Sequence, residues 1–546
     1  MLTALTATLL TATASPPAEV HDHGHPPELG KVVFATSCTP EAQKRFLRGL
    51  GWLHSFEYEQ AARTFVSAKA ADPDCAIAEW GAAMSQYHPL WVPPSAAELA
   101  LGRAALARAR MQTRVSPRER DYLAAIGAFY QDSERINHKD RVLAYVAAME
   151  RLHARYPQDH EAAVFLALAL ISAGTMDQDP DFAREHQAGA ILNGVLASEP
   201  DHPGVSHYLI HSFDYPQLAQ LALPAARRYA LIAPDSPHAQ HMPSHIFVRL
   251  GLWDEAIASN RAAEAAARAL AKAQGLPDSS SERLHAMDYL VYGYLQTGRD
   301  REAEEVLASL VAIHRADPPV FTVAYAATAI PARLALERRR WGEAAALVLP
   351  ESVSGLVLWD NFPWASAHIH FARAVGAARS GQVAVAQAEV SQLRAIEQGL
   401  KVPPGTYDWR TQVGIERQVS EGWLARAEGR DTAAERLMRV AADLDDASEK
   451  HPVTPGTLLP AREQLGELLL ELGRPAEALA EYEAALQRAP GRLGGLYGAA
   501  RSARLAGDTA KATAYYAELA TFTAGGDANR AEIAEARAIA ARPSTR

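Results

Sequence analysis

Between residues 40 and 520, apolar and small residues recur at three- and four-residue intervals, and no segment alternates strictly as a half-buried strand would. The clearest early unit lies at 40–74. Gly49 and Trp52 fall on a first helix, Ala61, Phe65 and Ala68 on a second, and Pro73 closes it. Small residues let two helices approach closely, aromatics fill the groove between units, and proline ends the second helix. The same order returns at 461–490, with Leu465, Gly466 and Leu469, then Ala478, Tyr482 and Ala485, then Pro490. Turns between paired helices recur at Gly251, Gly298, Trp341-Gly342, Gly381, Gly429, Gly473 and Gly507. In the stretch between the two N-terminal units and the central region, the pattern predicts helices over 95–113, 117–131, 138–155, 159–173 and 180–198. Ser116-Pro117-Arg118-Glu119 supplies a capping box with proline in the first turn. The expected fold is all-α: helix–turn–helix units stacked into a right-handed superhelical solenoid, each burying its apolar face against its neighbours.

Within this array the stretch from His202 to Trp253 stands out. His207 and His211 are spaced i, i+4, as are His241 and His245, so each pair shares one helix face. The second pair follows the first by about 34 residues, the length of one tetratricopeptide unit. Stacked first helices would aim all four imidazoles into one groove, where they could form a single metal site. His238 lies one turn before His241 on the same stripe. His285 opens the next first helix, and His54 and His88 belong to the first helices of the two N-terminal units. Neutral imidazole suits a divalent transition metal, zinc or copper above all, and no free thiolate pattern competes. Tyr208, Asp214 and Asp288 are candidates for orienting these rings from behind. Hydrogen bonding in the groove and recognition of a partner peptide are the two other readings of the same residues. The sequence contains no H-E-x-x-H, no G-x-S-x-G and no phosphate-binding glycine loop.

Composition narrows the function classes. A net charge of −10 over 546 residues argues against a nucleic-acid binder. No apolar run of membrane-spanning length follows the first few residues. Residues 1–14 read as a signal peptide ending in Ala12-Thr13-Ala14, which predicts export to the periplasm or outside the cell. Residues 15–39 read as an extended His/Pro-rich segment in which His21, His23 and His25 alternate. The repeat array with the histidine-lined groove spans 40–400, and further units with a cap span 401–546. The chain has two cysteines, Cys38 and Cys75, each at the start of a helix on the same side of the stack. An exported chain with this pair predicts a disulfide.

The repeat pattern resembles the tetratricopeptide superfamily over about 40–520. The elements LHSFEYEQA, DPDCAIAEWG, HPLW, HPGVSHYLIH, HAQHMPSHIF and HAMDYLVYGYLQ are similar to a bacterial group of exported, histidine-rich repeat proteins. The superfamily resemblance implies a concave groove that binds a peptide or partner protein. It carries over no enzymatic activity. The function expected is therefore ligand or partner binding in the groove with a histidine-bound metal. A plain protein-binding scaffold and a metal-dependent hydrolase or oxidase are the alternatives.

Overall fold

A computed structural model describes residues 27–90, 92–177, 179–276, 279–527 and 529–541. The expected leader at 1–14 and the alternating histidines 21, 23 and 25 lie outside these residues. Apart from one isolated bridge between Ser280 and Asp317, every regular element among the described residues is a helix. The fold is all-α, with consecutive helices paired and stacked on their neighbours as the repeat pattern predicts. The five helices expected between the N-terminal units and the central region form at Ala96–Arg110, Pro117–Tyr130, His138–Arg155, His160–Asp177 and Ala183–Leu196. The Ser116–Glu119 capping box is present, with both reciprocal bonds made.

Close packing follows a simple rule at both ends of the array. Phe65 sits sixteen residues after Gly49 and sixteen before Gly81. A Cβ on either glycine would meet its ring at 2.7 or 2.5 Å. Tyr482 stands in the same relation to Gly466 and Gly498, where the distances would be 2.8 and 2.1 Å. The aromatic of each second helix thus wedges between the first helices of its own unit and the next. Nothing larger than glycine fits there without a shift of the neighbour.

The segment 27–39 is irregular but anchored. Phe34 is buried against Phe46, Trp80 and Tyr122, and Lys31 N–H donates to the Asp201 carbonyl at 3.0 Å. Cys38 and Cys75 are joined in a disulfide across a sequence separation of 37 residues. Closing such a loop stabilises the fold by about 4 kcal/mol in the chain-entropy treatment.

The array also closes on itself. Trp253 Nε1 donates to the Gly491 carbonyl at 2.8 Å. The buried Arg492 guanidinium bonds Glu337, Glu463 and the Tyr292 hydroxyl at 2.7–2.8 Å. Lys450 Nζ reaches Asp214 at 2.9 Å. The C-terminal units are therefore packed onto the middle of the chain, and the two large apolar cores meet on the helix Ser281–Gln296. One helix, His160–Asp177, is long and apolar enough to cross a membrane, and 78% of it is buried inside the protein.

Candidate metal centre

Three successive first helices bring the histidines together. The first is Pro203–Ser212, where His202 caps the N-terminus by accepting from Val205 N–H at 3.3 Å and Pro203 occupies the first turn. The second is divided by Pro243 into Pro237–His241 and Pro243–Arg249, with Ser236 as its cap. The third is Ser281–Gln296, capped by Ser280. All are almost wholly buried, so polar side chains on them must find partners within the protein.

The histidines form two adjacent triads instead of the single four-histidine site expected from the repeat register. His207, His211 and His238 make one, and His241, His245 and His285 the other. Within each, one ring nitrogen from every member lies within 4.8 Å of the others. His238 is drawn to the first pair because that pair faces it across the helix interface, with the His207 and His238 ring centroids 5.1 Å apart. His241 faces His285 on the other side at 4.1 Å. The triads touch through His211 and His245, whose centroids are 6.0 Å apart.

Tracing the protons shows what these rings lack. His245 Nδ1 lies 3.0 Å from Asp214 Oδ2, a carboxylate also held by Arg249 and Lys450, so this nitrogen donates. His241 Nδ1 lies 2.7 Å from Asn260 Oδ1. Asn260 gives its own N–H to the Ala256 carbonyl, which fixes the amide and makes His241 Nδ1 a donor as well. A neutral imidazole carries one proton. Both Nε2 atoms are therefore bare lone pairs, and they face each other at 3.0 Å. In the first triad, His207 Nδ1 donates to the His54 carbonyl at 2.6 Å, leaving its Nε2 bare at 3.1 Å from His211 Nε2. The Tyr289 hydroxyl reaches both His245 Nε2 and the Val453 carbonyl at 3.2 Å, and its one proton serves one of them at a time. Two nitrogens that share a zinc or copper ion at about 2.0–2.1 Å each stand roughly 3–3.4 Å apart. The spacing and the donor set fit such an ion.

Burial dominates the electrostatics. It pushes His207, His211, His241 and His285 well below the ordinary imidazole value, and neighbouring histidines push them further. His245 is pushed down to about 4 by the same burial, opposed by Asp214. Asp214 is held well below the carboxylate range by Lys450 and Arg249, which outweigh its own desolvation.

The other expected residues are placed elsewhere. His54 belongs to a third group, with Glu161 and His202. Its Nε2 donates to Glu161 at 2.9 Å and its Nδ1 accepts from the Tyr208 hydroxyl at 3.0 Å. Tyr208 therefore orients His54 and makes no hydrogen bond to either triad. His88 stands apart, with Nδ1 3.6 Å from Glu98 and its ring 4.6 Å from that of Tyr58. Asp288 is buried with no hydrogen-bond partner on either oxygen, and burial pushes it up to about 6 against the pull of Arg333. It does not orient His285. Asp214 does take the orienting place behind His245. Asn260, Glu161, His202 and Tyr289 were not singled out from sequence. Tyr289 sits one turn after His285, and that spacing was a usable signal for it; Asn260 comes from the paired second helix Trp253–Ala273 and Glu161 from the earlier helix His160–Asp177, and no local pattern marks them.

No sequence-family profile matches the chain, and no curated protein matches it in sequence. Several solved structures align with most of its length at low similarity. Human IFIT1, solved as a dimer with m7Gppp-AAAA, is 13% identical over 82% of this chain and 90% of its own, with a TM-score of 0.37. Yeast Tom70 is 11% identical over 91% and 93%, with a TM-score of 0.29. The TPR domain of P58(IPK) is 12% identical over 86% and 99%, with a TM-score of 0.20.

Proposed function

We propose that this chain is an exported tetratricopeptide-like protein that holds two transition-metal ions, copper or zinc, and binds a ligand or partner in the interior of its superhelix. His207, His211 and His238 would hold one ion, and His241, His245 and His285 the other. The observation that carries this reading is the pair of bare Nε2 lone pairs on His241 and His245, 3.0 Å apart with both protons committed elsewhere. Two buried acceptors in contact repel, and a cation between them removes the repulsion. Six neutral imidazoles without a thiolate favour copper or zinc over magnesium or calcium. When bound by three imidazoles, either metal supplies a Lewis-acidic centre with room for one further ligand. Hydrolysis and oxidation are the enzymatic chemistries compatible with that arrangement. The Cys38–Cys75 disulfide supports export, since such bonds persist in oxidising compartments.

The test is a titration. Protein without an affinity tag is stripped with a chelator and titrated separately with Cu(II) and Zn(II) in a calorimeter. Two ions per chain are expected, falling to one in His241→Ala and to one in His207→Ala, with no stronger coupling than neighbouring sites show. A protein-binding scaffold without metal predicts no saturable uptake in any of the three.

A further inference from the structure

A cavity of about 550 Å³ lies directly beside the first triad, and two of its wall residues, Glu57 and Glu282, reach His238 at 3.4 Å. Phe56 lines the cavity on one side. On the other it stacks on His211 at 5.5 Å and lies 4.3 Å from His207. The cavity wall is unusual in its charge. Glu57, Glu59, Glu98, Glu282 and Asp317 all line it, and among the described residues no lysine or arginine does. Cations approach only from behind the wall, where Arg63 faces Glu59 and Arg315 lies 3.8 Å from Asp317. Glu57 is the telling residue. The residue is buried, with 7% of its surface exposed. Oε1 accepts from the Ser236 hydroxyl at 3.2 Å and from His238 N–H at 3.4 Å. Its second oxygen makes no hydrogen bond among the described residues. Glu282, across the same space, opposes the charge of Glu57. The rest of the wall mixes polar side chains, Gln60, Gln274 and His451 among them, with an apolar and aromatic part formed by Leu270, Phe321 and Phe362.

We propose that this cavity binds an organic cation, an amine or quaternary ammonium carried on an apolar body. The cation would sit between Glu57 and Glu282, and the body would lie against Leu270, Phe321 and Phe362. The volume is that of a small-molecule site. An ammonium gives the second Glu57 oxygen a donor and stabilises the ionised carboxylate that burial, and then Glu282, disfavour. Aromatic faces add attraction for the same charge. An anion or a neutral amphipath gains the apolar contact alone. The proposal places no ligand on a triad nitrogen, and since Glu57 and Glu282 both touch His238 it is tested on metal-free protein.

The test uses the full chain in chelator, so that an amine cannot bind through a metal. Octylamine, 1-octanol and octanoate are titrated calorimetrically. Octylamine should bind at least about tenfold tighter than octanol, and octanoate should not bind measurably. Glu57→Gln keeps the shape and one acceptor, and it should weaken octylamine about fivefold or more while leaving octanol unchanged. Glu282→Gln should act in the same direction and guards against a folding defect at the more buried Glu57. Equal affinity for octylamine and octanol overturns the proposal, as does octylamine binding that neither folded variant weakens.

Discussion

Two histidine groups lie side by side in this protein and are built on opposite principles. In the His54–Glu161–His202 group every proton has a place. Glu161 accepts from both imidazoles, the Tyr208 hydroxyl donates to His54 Nδ1, and Val205 N–H donates to His202 Nδ1. Glu161 is held down to about 2 by the two rings it pairs with, against its own desolvation. In the His241–His245–His285 group the outward nitrogens are equally well tied, to Asn260 and Asp214, yet the inward ones meet as acceptors. The first group is complete as a hydrogen-bond network. The second leaves two acceptors in contact, with only the shared Tyr289 proton near them among the described residues, and this is the opening the proposed metal would fill. Counting histidines does not separate them; following each proton does.

The largest expected effect breaks the first group. Glu161→Ala leaves two buried imidazoles without their acceptor and should cost roughly 3–5 kcal/mol in urea unfolding, whether or not metal is present. His241→Ala in metal-free protein should cost less than that, because it also removes an acceptor–acceptor contact. A reversed order would mean that the two groups have been assigned the wrong way round.

Acid should sharpen the contrast next. Burial pushes His138, His368 and His451 down to about 4, 3 and 3. In the unfolded chain each titrates near 6.5, so the unfolded state takes up protons first as the pH falls. Stability should therefore decline below pH 6.5 by up to about 1.4 kcal/mol per pH unit for each ring. Glu161, held down to about 2, adds to the decline only as the unfolded carboxylate protonates near 4.5, below the pH 7 to 5.5 window. Urea midpoints of metal-free protein at pH 7 and pH 5.5 measure it, and a flat profile would contradict the burial of these rings.

A smaller effect is expected behind the metal triad. Asp214→Asn weakens the hold on His245 Nδ1 and should lower metal affinity by roughly 10–100-fold at that triad. The sites should separate in a competition titration, with the His207 triad unchanged. The smallest effect is at His88, which pairs with Glu98 outside both triads. His88→Ala should leave metal stoichiometry untouched, and a loss of metal there would redraw the site.

The solenoid was legible because its signal is local and repeated. Gly49, Phe65 and Gly81 show the packing rule within one stretch, and Gly466, Tyr482 and Gly498 repeat it far along the chain. The two i, i+4 histidine pairs were legible for the same reason, since each is a property of one helix. How the pairs divide was not. The expected common site assumed that equivalent positions on stacked helices converge on one point. In the folded chain each pair instead recruits a histidine from the helix it faces, His238 in one case and His285 in the other. Asn260 comes from the second helix of the His241 unit, Glu161 from an earlier helix, and the Lys450–Asp214 contact joins residues far apart in sequence. Superhelical closure decides such meetings, and repeat spacing does not encode it.

The central claim is that six imidazoles hold two metal ions. The most direct measurement is elemental analysis of untagged protein combined with X-ray absorption at the edge of the metal found. The expected result is about two ions per chain with only nitrogen and oxygen neighbours, imidazole among them, at about 2.0–2.1 Å. One ion should remain when His241 is replaced and none when His207 and His241 are both replaced. Protein that carries no metal and takes up none when offered copper or zinc would contradict the claim, as would metal retained by the folded double variant.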